Sequence, residues 1–474
     1  MVADVALYLL VHQPRRLKLP AQPIPRCASI EDITHCLFDE RLNEQYFRQV
    51  ARSSYYPATR MLLDLVRRRG LHLALGLSLS FTRQADLWEP ELLDLFRELI
   101  AEEHVELIGV DPYHSLHCLI DLPNFAMRMR WMADELEHTF GKRPTVMHTT
   151  EMCMSSSIYA ALDTAGFRGA LVDGTPQIMQ WRSSNYLYRS SDHERCAVPV
   201  KIPTRTRRST ARISERDRLG PPYTASVPGE SGPFLLPRHI GLSEDLATRF
   251  SDHNWASYPL YADSYAKWIA RSEGDFVLLG LDFETLGEHH SHSSGIFEFM
   301  QALPDELEQH GIATRTPGEL IDRFSQQDTY HLPLPIYPTN WSHSDNADAH
   351  STFFDYEPQK ALFQLMHDVY SLARLTEHPE LLDLAIWLTQ SDNLNLVQWP
   401  GPQIAYGVTP HEWWSLGASR LLQEQRQVFI NLLYAIEPYL PVRAIRQTRQ
   451  KAPNKALRSQ IAIEAEFRIM ARRH

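Results

Sequence analysis

An α/β fold, either a βα barrel or an open α/β sheet, followed by a helical part, is what this sequence predicts. Three observations carry that expectation. Over the first two thirds of the chain, short apolar runs rich in leucine and β-branched residues end in polar residues and lead into segments of helical period. After the Pro-rich stretch Leu332-Pro333-Leu334-Pro335-Ile336-Tyr337-Pro338 the rhythm stops and long helical patterns take over. At 474 residues the chain is also too long for one comfortable hydrophobic core, so a large unit over 1–330 and a helical domain over 331–474 are expected.

The expected strands, in chain order, are 5–11, 71–77, 105–110, 145–148, 169–172 and 276–281, with a weaker one at 313–315. Between them lie amphipathic helices, as in Leu92, Leu93, Leu95, Phe96 and Leu99, and in Met127, Trp131 and Leu136. The pattern fails from 203 to 239, where Arg205, Arg207, Arg208, Arg212, Arg216 and Arg218 precede a stretch rich in Gly and Pro. A long surface insertion at 203–240 is expected there. Beyond the Pro-rich boundary, 359–375, 379–389 and 411–435 carry apolar residues at helical spacing, for example Leu421, Leu422, Val428, Phe429, Leu432 and Leu433.

Bulk composition narrows the class. Hydrophobic content of 43% and charged content of 22% are those of an ordinary globular protein. No apolar stretch approaches the roughly 20 residues that cross a bilayer. The first residues lack a basic region and a cleavage site, so no secretory signal is expected. Cys27, Cys36, Cys118, Cys153 and Cys196 are scattered and never form a CxxC pair, which disfavours both a disulfide framework and a thiolate zinc site. A reducing cytoplasm is the expected location. A net charge of −11 argues against a nucleic-acid partner and favours a neutral ligand. The basic tail from Arg443 to Arg473 reads as a solvated helix face.

The densest polar cluster, Asp282-Phe283-Glu284-Thr285-Leu286-Gly287-Glu288-His289-His290, follows directly on an apolar strand. In a βα barrel, catalytic residues collect at the C-terminal ends of strands. If the strand continues this far, Asp282 and Glu284 point to the same side. Glu151 follows another expected strand, in His148-Thr149-Thr150-Glu151. Carboxylates from two strands facing one cavity are what glycoside hydrolysis requires: one attacks or stabilises the anomeric carbon, the other, with a raised pKa, protonates the leaving oxygen. His12-Gln13-Pro14 ends the first strand, where the proline stops the strand and leaves His12 and Gln13 as donors near the pocket mouth. Asp111-Pro112-Tyr113-His114 ends a further one. Singly, a strand-terminal Asp is more often a helix cap and a lone His more often structural. Four strand ends carrying acids or imidazoles are poorly explained by capping alone.

The run Glu288-His289-His290-Ser291-His292 offers zinc-type ligands but lacks the HExxH spacing that puts two imidazoles on one helical face. His289 is therefore expected to hydrogen-bond substrate, His290 and His292 to be ordinarily exposed, and no metal to be bound.

In this order, the clusters resemble the sequence regions of glycoside hydrolase family 57, which holds α-amylases, 4-α-glucanotransferases, amylopullulanases and glycogen-branching enzymes. His12-Gln13-Pro14 is similar to the first region, Tyr113-His114-Ser115 to the second and Thr150-Glu151 to the third. Asp282 to His289 looks like the fourth and is the most specific match. Gly295-Ile296-Phe297-Glu298-Phe299 continues the likeness, and Ser391-Asp392 resembles a fifth region that reaches back to the sugar site. The resemblance implies an incomplete TIM-like barrel of seven βα units followed by a helical domain that contributes to the cleft. It implies retaining cleavage of α-1,4-glucosidic bonds in an α-glucan or maltooligosaccharide, with Glu151 as nucleophile and Asp282 as general acid/base, and no cofactor. His12, Gln13, His114, Glu284, His289 and Asp392 would then bind substrate, and Trp341, Trp399, Trp413 or Trp414 could stack on glucose rings. Helical spacing makes Trp413 or Trp414 more a core residue than a platform. The chain departs from the pattern at Pro112, and at Asn393-Leu394-Asn395-Leu396, where aromatic residues are common in the family. The same carboxylate pair would serve a 4-α-glucanotransferase or branching enzyme. Rival classes are a metal-dependent deacetylase or α-mannosidase on a similar barrel, and a non-catalytic carbohydrate-binding protein.

Overall fold

The computed structural model describes residues 2–191, 232–327, 330–339, 357–376, 378–395, 413 and 416–441. Among the described residues ten strands form one sheet: β1 (Asp4–Val11), β2 (Leu73–Leu77), β3 (Val105–Val110), β4 (Val146–His148), β5 (Gly169–Asp173), β6 (Tyr188–Ser190), β7 (Phe234–Arg238), β8 (Phe276–Asp282), β9 (Ala313–Thr314) and β10 (Tyr330–Leu332). Seven of them close a parallel barrel in the order β8-β1-β2-β3-β4-β5-β7, with β7 returning to β8. The short β9 pairs with Asp4 and Val5 at the foot of β1, below the point where β2 joins at Leu7. Strand β6 adds antiparallel to β7, and β10 adds parallel to β6.

Every residue of β1, β2, β5 and β7 is buried, which is why β1, β2 and β5 read as near-continuous apolar runs rather than alternating ones. Helices cover the outside and are stopped by local chemistry. Ser29 and Thr316 open theirs with capping boxes. Gly70, Gly141 and Gly166 end three others in the left-handed conformation. The one charged side chain buried within β1, Asp4, faces Arg315 at 3.5 Å and Arg323 at 3.1 Å at the barrel foot.

The expected strands are all present, within two residues at each end. One expectation needs correction. The sequence of 203–239 reads as a surface insertion, yet Phe234–Arg238 is the barrel strand β7, paired residue for residue with Gly169–Asp173. Pro237 inside it and the Gly/Pro-rich run before it hid the strand, since proline within a run normally argues against a strand. The arginines of 203–218 and Cys196 lie outside the described residues, as does the basic tail.

After β10 come the helices Glu357–Leu375, Pro379–Leu388, Asp392–Asn395 and Ala418–Ile436. The apolar core runs without a break from the barrel into them, through Leu362, Met366, Leu381, Trp387 and Phe429. Trp413 is buried, as its helical spacing suggested, while Trp341, Trp399 and Trp414 lie outside the described residues. Among the described residues, no disulfide joins Cys27, Cys36, Cys118 or Cys153. Among the described residues no helix is long and apolar enough to cross a membrane.

Barrel closure depends on Arg238, the last residue of β7 and buried. It meets Leu278 of β8 in register, donates from Nε to Gly280 O at 2.9 Å, and contacts Asp173 at 3.3 Å and Glu244 at 2.6 Å. Gly280 leaves room for this crossing, since a Cβ there would sit 3.2 Å from Arg238 Cδ. Removing one member of a buried ion pair strands the other charge. Arg238→Met is therefore expected to lower the unfolding free energy in urea by about 3–5 kcal/mol. A loss below about 1 kcal/mol, the range of an exposed pair, would contradict this role.

Candidate active site

The polar residues gather at the C-terminal mouth of the barrel. Beyond β1, the buried Gln13 donates from Nε2 to the Tyr55 hydroxyl at 3.0 Å, and that hydroxyl donates to Glu284. Tyr55 ends a π-helical turn, Ala51–Tyr55, a distortion that re-aims side chains out of regular helical spacing. Strand β8 stops at Asp282 and a 3-10 turn, Phe283–Thr285, carries Glu284, so the two acids are placed by a turn rather than by strand alternation. The turn then folds against the π-helix. Gly287 has φ +106 and approaches Ser53 so closely that a Cβ would lie 2.0 Å from its carbonyl oxygen. Ser53 Oγ donates to Glu288 at 2.6 Å.

Across the barrel, beyond β4, Glu151 lies in a 3-10 turn, Thr150–Met152, and is 5% exposed. Its backbone is left-handed, with φ 54 and ψ 28, and Met152 follows with φ 50. Such conformations are costly for residues with a Cβ and persist where surroundings impose them. The imposing contacts are specific. Thr149 Oγ1 donates to Cys153 O and Thr150 Oγ1 to Ser115 O, both at 2.6 Å, and the Met152 amide donates to His148 Nε2 at 3.2 Å. Neutral His148 then carries its proton on Nδ1, which faces the Tyr8 hydroxyl at 2.7 Å. His114, at the mouth of β3, is also left-handed, with φ 54.

The helical part supplies the last side of the mouth. Ser115 and Gln390 form an antiparallel bridge, and the Ser391 amide donates to His114 O at 3.0 Å. Gln390 exchanges two hydrogen bonds with the Arg15 backbone, at 3.1 and 2.7 Å. This register presents Asp392 to His12, whose Nε2 donates to it at 3.2 Å, while His12 Nδ1 is hydrogen-bonded to Ser78 Oγ at 2.9 Å. His114 Nδ1 is hydrogen-bonded to Ser391 Oγ at 3.0 Å. Among the described residues, His12, His114 and Asp392 are a group whose ligand atoms lie close enough, within 4.8 Å of one another, to hold a metal ion.

Acids and imidazoles from five parts of the chain thus meet at one barrel end. The model of glycosyl hydrolase family 57 matches residues 6–333. This chain belongs to that family. Among its relatives is a Methanocaldococcus jannaschii protein named "Putative alpha-amylase", 27% identical over 394 residues, covering 81% of this chain and 74% of the relative. Of solved structures, the 4-alpha-glucanotransferase from Thermococcus litoralis superposes with a TM-score of 0.60 at 14% identity, covering 93% of this chain. The chain spans 60% of that enzyme's length. A family 57 branching enzyme from Thermococcus kodakaraensis superposes with a TM-score of 0.53 at 15% identity, covering 93% of this chain and 97% of the enzyme. These superpositions bear on the fold, which is the seven-stranded barrel with a helical region.

Family 57 membership makes the chain an enzyme of the glycoside hydrolase and transferase class, and its electrostatics suit acid/base work. Burial pushes the Asp282 carboxyl up to about 6, with Arg238 pulling the other way. Burial and the neighbouring Asp282 push Glu284 up to about 8. Asp173, at the end of β5, is raised to about 6 by burial against the opposing pull of Arg238. Burial works against the charge of Asp392, yet His12 holds its carboxyl below the ordinary value. Burial, with His12 beside it, pushes His114 well below the usual imidazole range, and burial with Arg238 takes His148 down to about 3.

The structure brings His12, His114 and Asp392 together, and links Gln13 to Glu284 through Tyr55. His289 is partly buried and its amide donates to Glu284 O at 2.8 Å, while burial lowers its imidazole to about 4. The exposure expected for His290 is corrected. It is 3% exposed, with Nε2 donating to Leu246 O and Nδ1 hydrogen-bonded to Ser251 Oγ, each at 2.8 Å, because the Gly287 turn folds it inward. His292 is exposed. Asp111 is a turn former, accepting from the amides of Tyr113 at 3.1 Å and Ser115 at 2.7 Å. Tyr8, Tyr55, Ser78, Asp173 and Arg238 were not anticipated. Of these only Asp173 had a usable signal, an acid immediately after an expected strand.

The raised carboxyls have a consequence for stability. Native Glu284 keeps its proton up to about 8, whereas an unfolded glutamate releases it near its ordinary value of about 4.3. Its contribution is fully present below the lower value and is lost as pH rises through the upper one. Urea unfolding should therefore show stability falling between pH 5 and 8.5, and falling less in Glu284→Gln; an equal fall in the variant would contradict this.

Proposed function

We propose that the chain cleaves α-1,4-glucosidic bonds of α-glucans or maltooligosaccharides with retention of configuration. Glu151 is the nucleophile and Asp282 the general acid/base. The observation that carries this reading is the placement of two acids on opposite sides of one barrel mouth. One is Glu151, buried in an imposed left-handed turn beyond β4. The other is Asp282, held partly protonated near neutrality at the end of β8. In the first step a Glu151 oxygen bonds to the anomeric carbon as the glycosidic C–O bond breaks, and the Asp282 proton passes to the leaving oxygen. In the second, the Asp282 carboxylate takes a proton from the incoming hydroxyl, whose oxygen displaces Glu151 from the sugar. No cofactor takes part.

His12, Gln13, His114, Glu284, His289 and Asp392 would hold sugar hydroxyls, the last from a helical domain over 331–474. Glu284, protonated near neutrality, can donate as well as accept. The substrate class is supported by the relatives, which carry the names alpha-amylase, 4-alpha-glucanotransferase and branching enzyme. They also support the transferase alternative, in which a sugar hydroxyl rather than water enters the second step. Family membership favours this chemistry over a metal-dependent deacetylase or mannosidase, and retention of both carboxylates favours it over carbohydrate binding without turnover. Net charge of −11 fits a neutral sugar ligand rather than nucleic acid, and scattered cysteines without a CxxC pair fit a cytoplasmic location.

Incubation with maltoheptaose should give shorter chains alone for a hydrolase, and longer or branched chains as well for a transferase. Glu151→Gln and Asp282→Asn should each reduce turnover by about 10³-fold or more. Normal turnover by Glu151→Gln would overturn the nucleophile assignment. Because Asp282 must be protonated for the first step, kcat/KM should decline as pH rises through about 6; a profile flat from pH 5 to 8 would remove Asp282 from the acid role.

A further inference from the structure

We infer that the mouth of this barrel also binds a single zinc-type divalent cation, held by His12, His114 and Asp392, and that the cation competes with the sugar. The inference rests on the proposed sugar site, whose wall these residues form. Their ligand atoms all lie within 4.8 Å of one another, and His12 Nε2 and Asp392 Oδ2 are 3.2 Å apart. In tetrahedral zinc sites with bonds of about 2.0–2.1 Å, ligand atoms stand about 3.3–3.4 Å apart.

A second observation points to a missing ligand. His114 is 5% exposed, its Nδ1 is engaged by Ser391, and its Nε2 is buried with no hydrogen-bond partner among the described residues. Buried ring nitrogens are normally satisfied. His12 shows the matching arrangement, with Ser78 on Nδ1 and Nε2 turned to Asp392. Hydroxyl partners on one nitrogen of each imidazole fix the ring orientation and leave the other for coordination, as surrounding hydrogen bonds do at metal centres. Two imidazoles and one carboxylate select zinc over magnesium or calcium, which prefer oxygen donors. Three protein ligands leave a position open for water, or for a sugar hydroxyl that displaces it.

The ligands come from the loops after β1 and β3 and from the helical part. Zinc would therefore tie the helices to the barrel mouth and raise the melting temperature. Coordination through Nε2 puts the single proton of each neutral imidazole on Nδ1, where Ser78 Oγ and Ser391 Oγ can accept it.

The test uses the full chain stripped with a chelator and titrated calorimetrically with zinc chloride. One equivalent should bind at micromolar affinity or tighter and raise the melting temperature, while magnesium and calcium give no heat. His114→Ala and the isosteric Asp392→Asn, each checked for an unchanged circular dichroism spectrum, should weaken binding at least tenfold. With maltoheptaose as substrate, the apparent inhibition constant for zinc should rise with substrate concentration. Absence of zinc binding, or unchanged affinity in both variants, overturns the site; inhibition indifferent to substrate overturns the competition. Zinc binding is measured without turnover, so the two readings fail separately. A metal-free protein that binds zinc but leaves maltoheptaose intact sinks the functional reading alone, and an active one that ignores zinc sinks the metal site alone.

Discussion

Arg238 is the contact on which the barrel and its chemistry both depend. A seven-stranded parallel barrel must join its last strands across a narrow seam, and here β7 meets β8 through the single pair Arg238 and Leu278. The guanidinium crosses that seam to Gly280 O and reaches Asp173 on β5 and Glu244 beyond β7. A buried cation with that many acceptors is satisfied, whereas the same cation with one acceptor removed would be expensive. Its field also extends into the mouth. It opposes the rise that burial imposes on Asp282 and adds to the fall that burial imposes on His148. The residue that closes the fold is thus also one that sets proton affinity at the site.

The opposite wall is built differently. Glu151 and His114 occupy left-handed backbone positions that a side chain resists, and both are held there by hydrogen bonds made by residues beside them. Thr150 binds the carbonyl of Ser115, and the Ser391 amide binds the carbonyl of His114, so the β3 and β4 loops and the helical part brace one another. Preorganisation of this kind fixes the Glu151 and His114 side chains at the barrel mouth, at a cost in backbone strain met by the rest of the fold. The helical part belongs to this wall, because its core is continuous with the barrel and Asp392 reaches His12.

Much of this was legible in the chain, for physical reasons. Parallel strands buried on both faces are uninterrupted apolar runs, so β1, β3 and β8 stand out from their composition alone. Strand β7 did not, because Pro237 and the Gly/Pro-rich segment before it carry the local signs of a loop. Strands β6 and β10, each of three residues, are too short for any periodicity. Strand-end acids and imidazoles were visible because a barrel concentrates function there. Their partners were not: Tyr55 and Ser78 act on Glu284 and His12 across 229 and 66 residues of sequence, and no local pattern announces such a pairing. The burial of His290 has no local sign for the same reason, since it follows from a turn that Gly287 packs against Ser53.

In the proposed mechanism Glu151 forms a covalent bond to the sugar. The most direct test incubates the active protein with a 5-fluoro-α-glucosyl fluoride, whose ring fluorine slows release of the glycosyl-enzyme, and measures the intact mass. A gain of one fluoroglucosyl unit, located by peptide sequencing on Glu151, is the expected result. A label on another carboxylate, or turnover that yields the inverted anomer with no adduct, would contradict it.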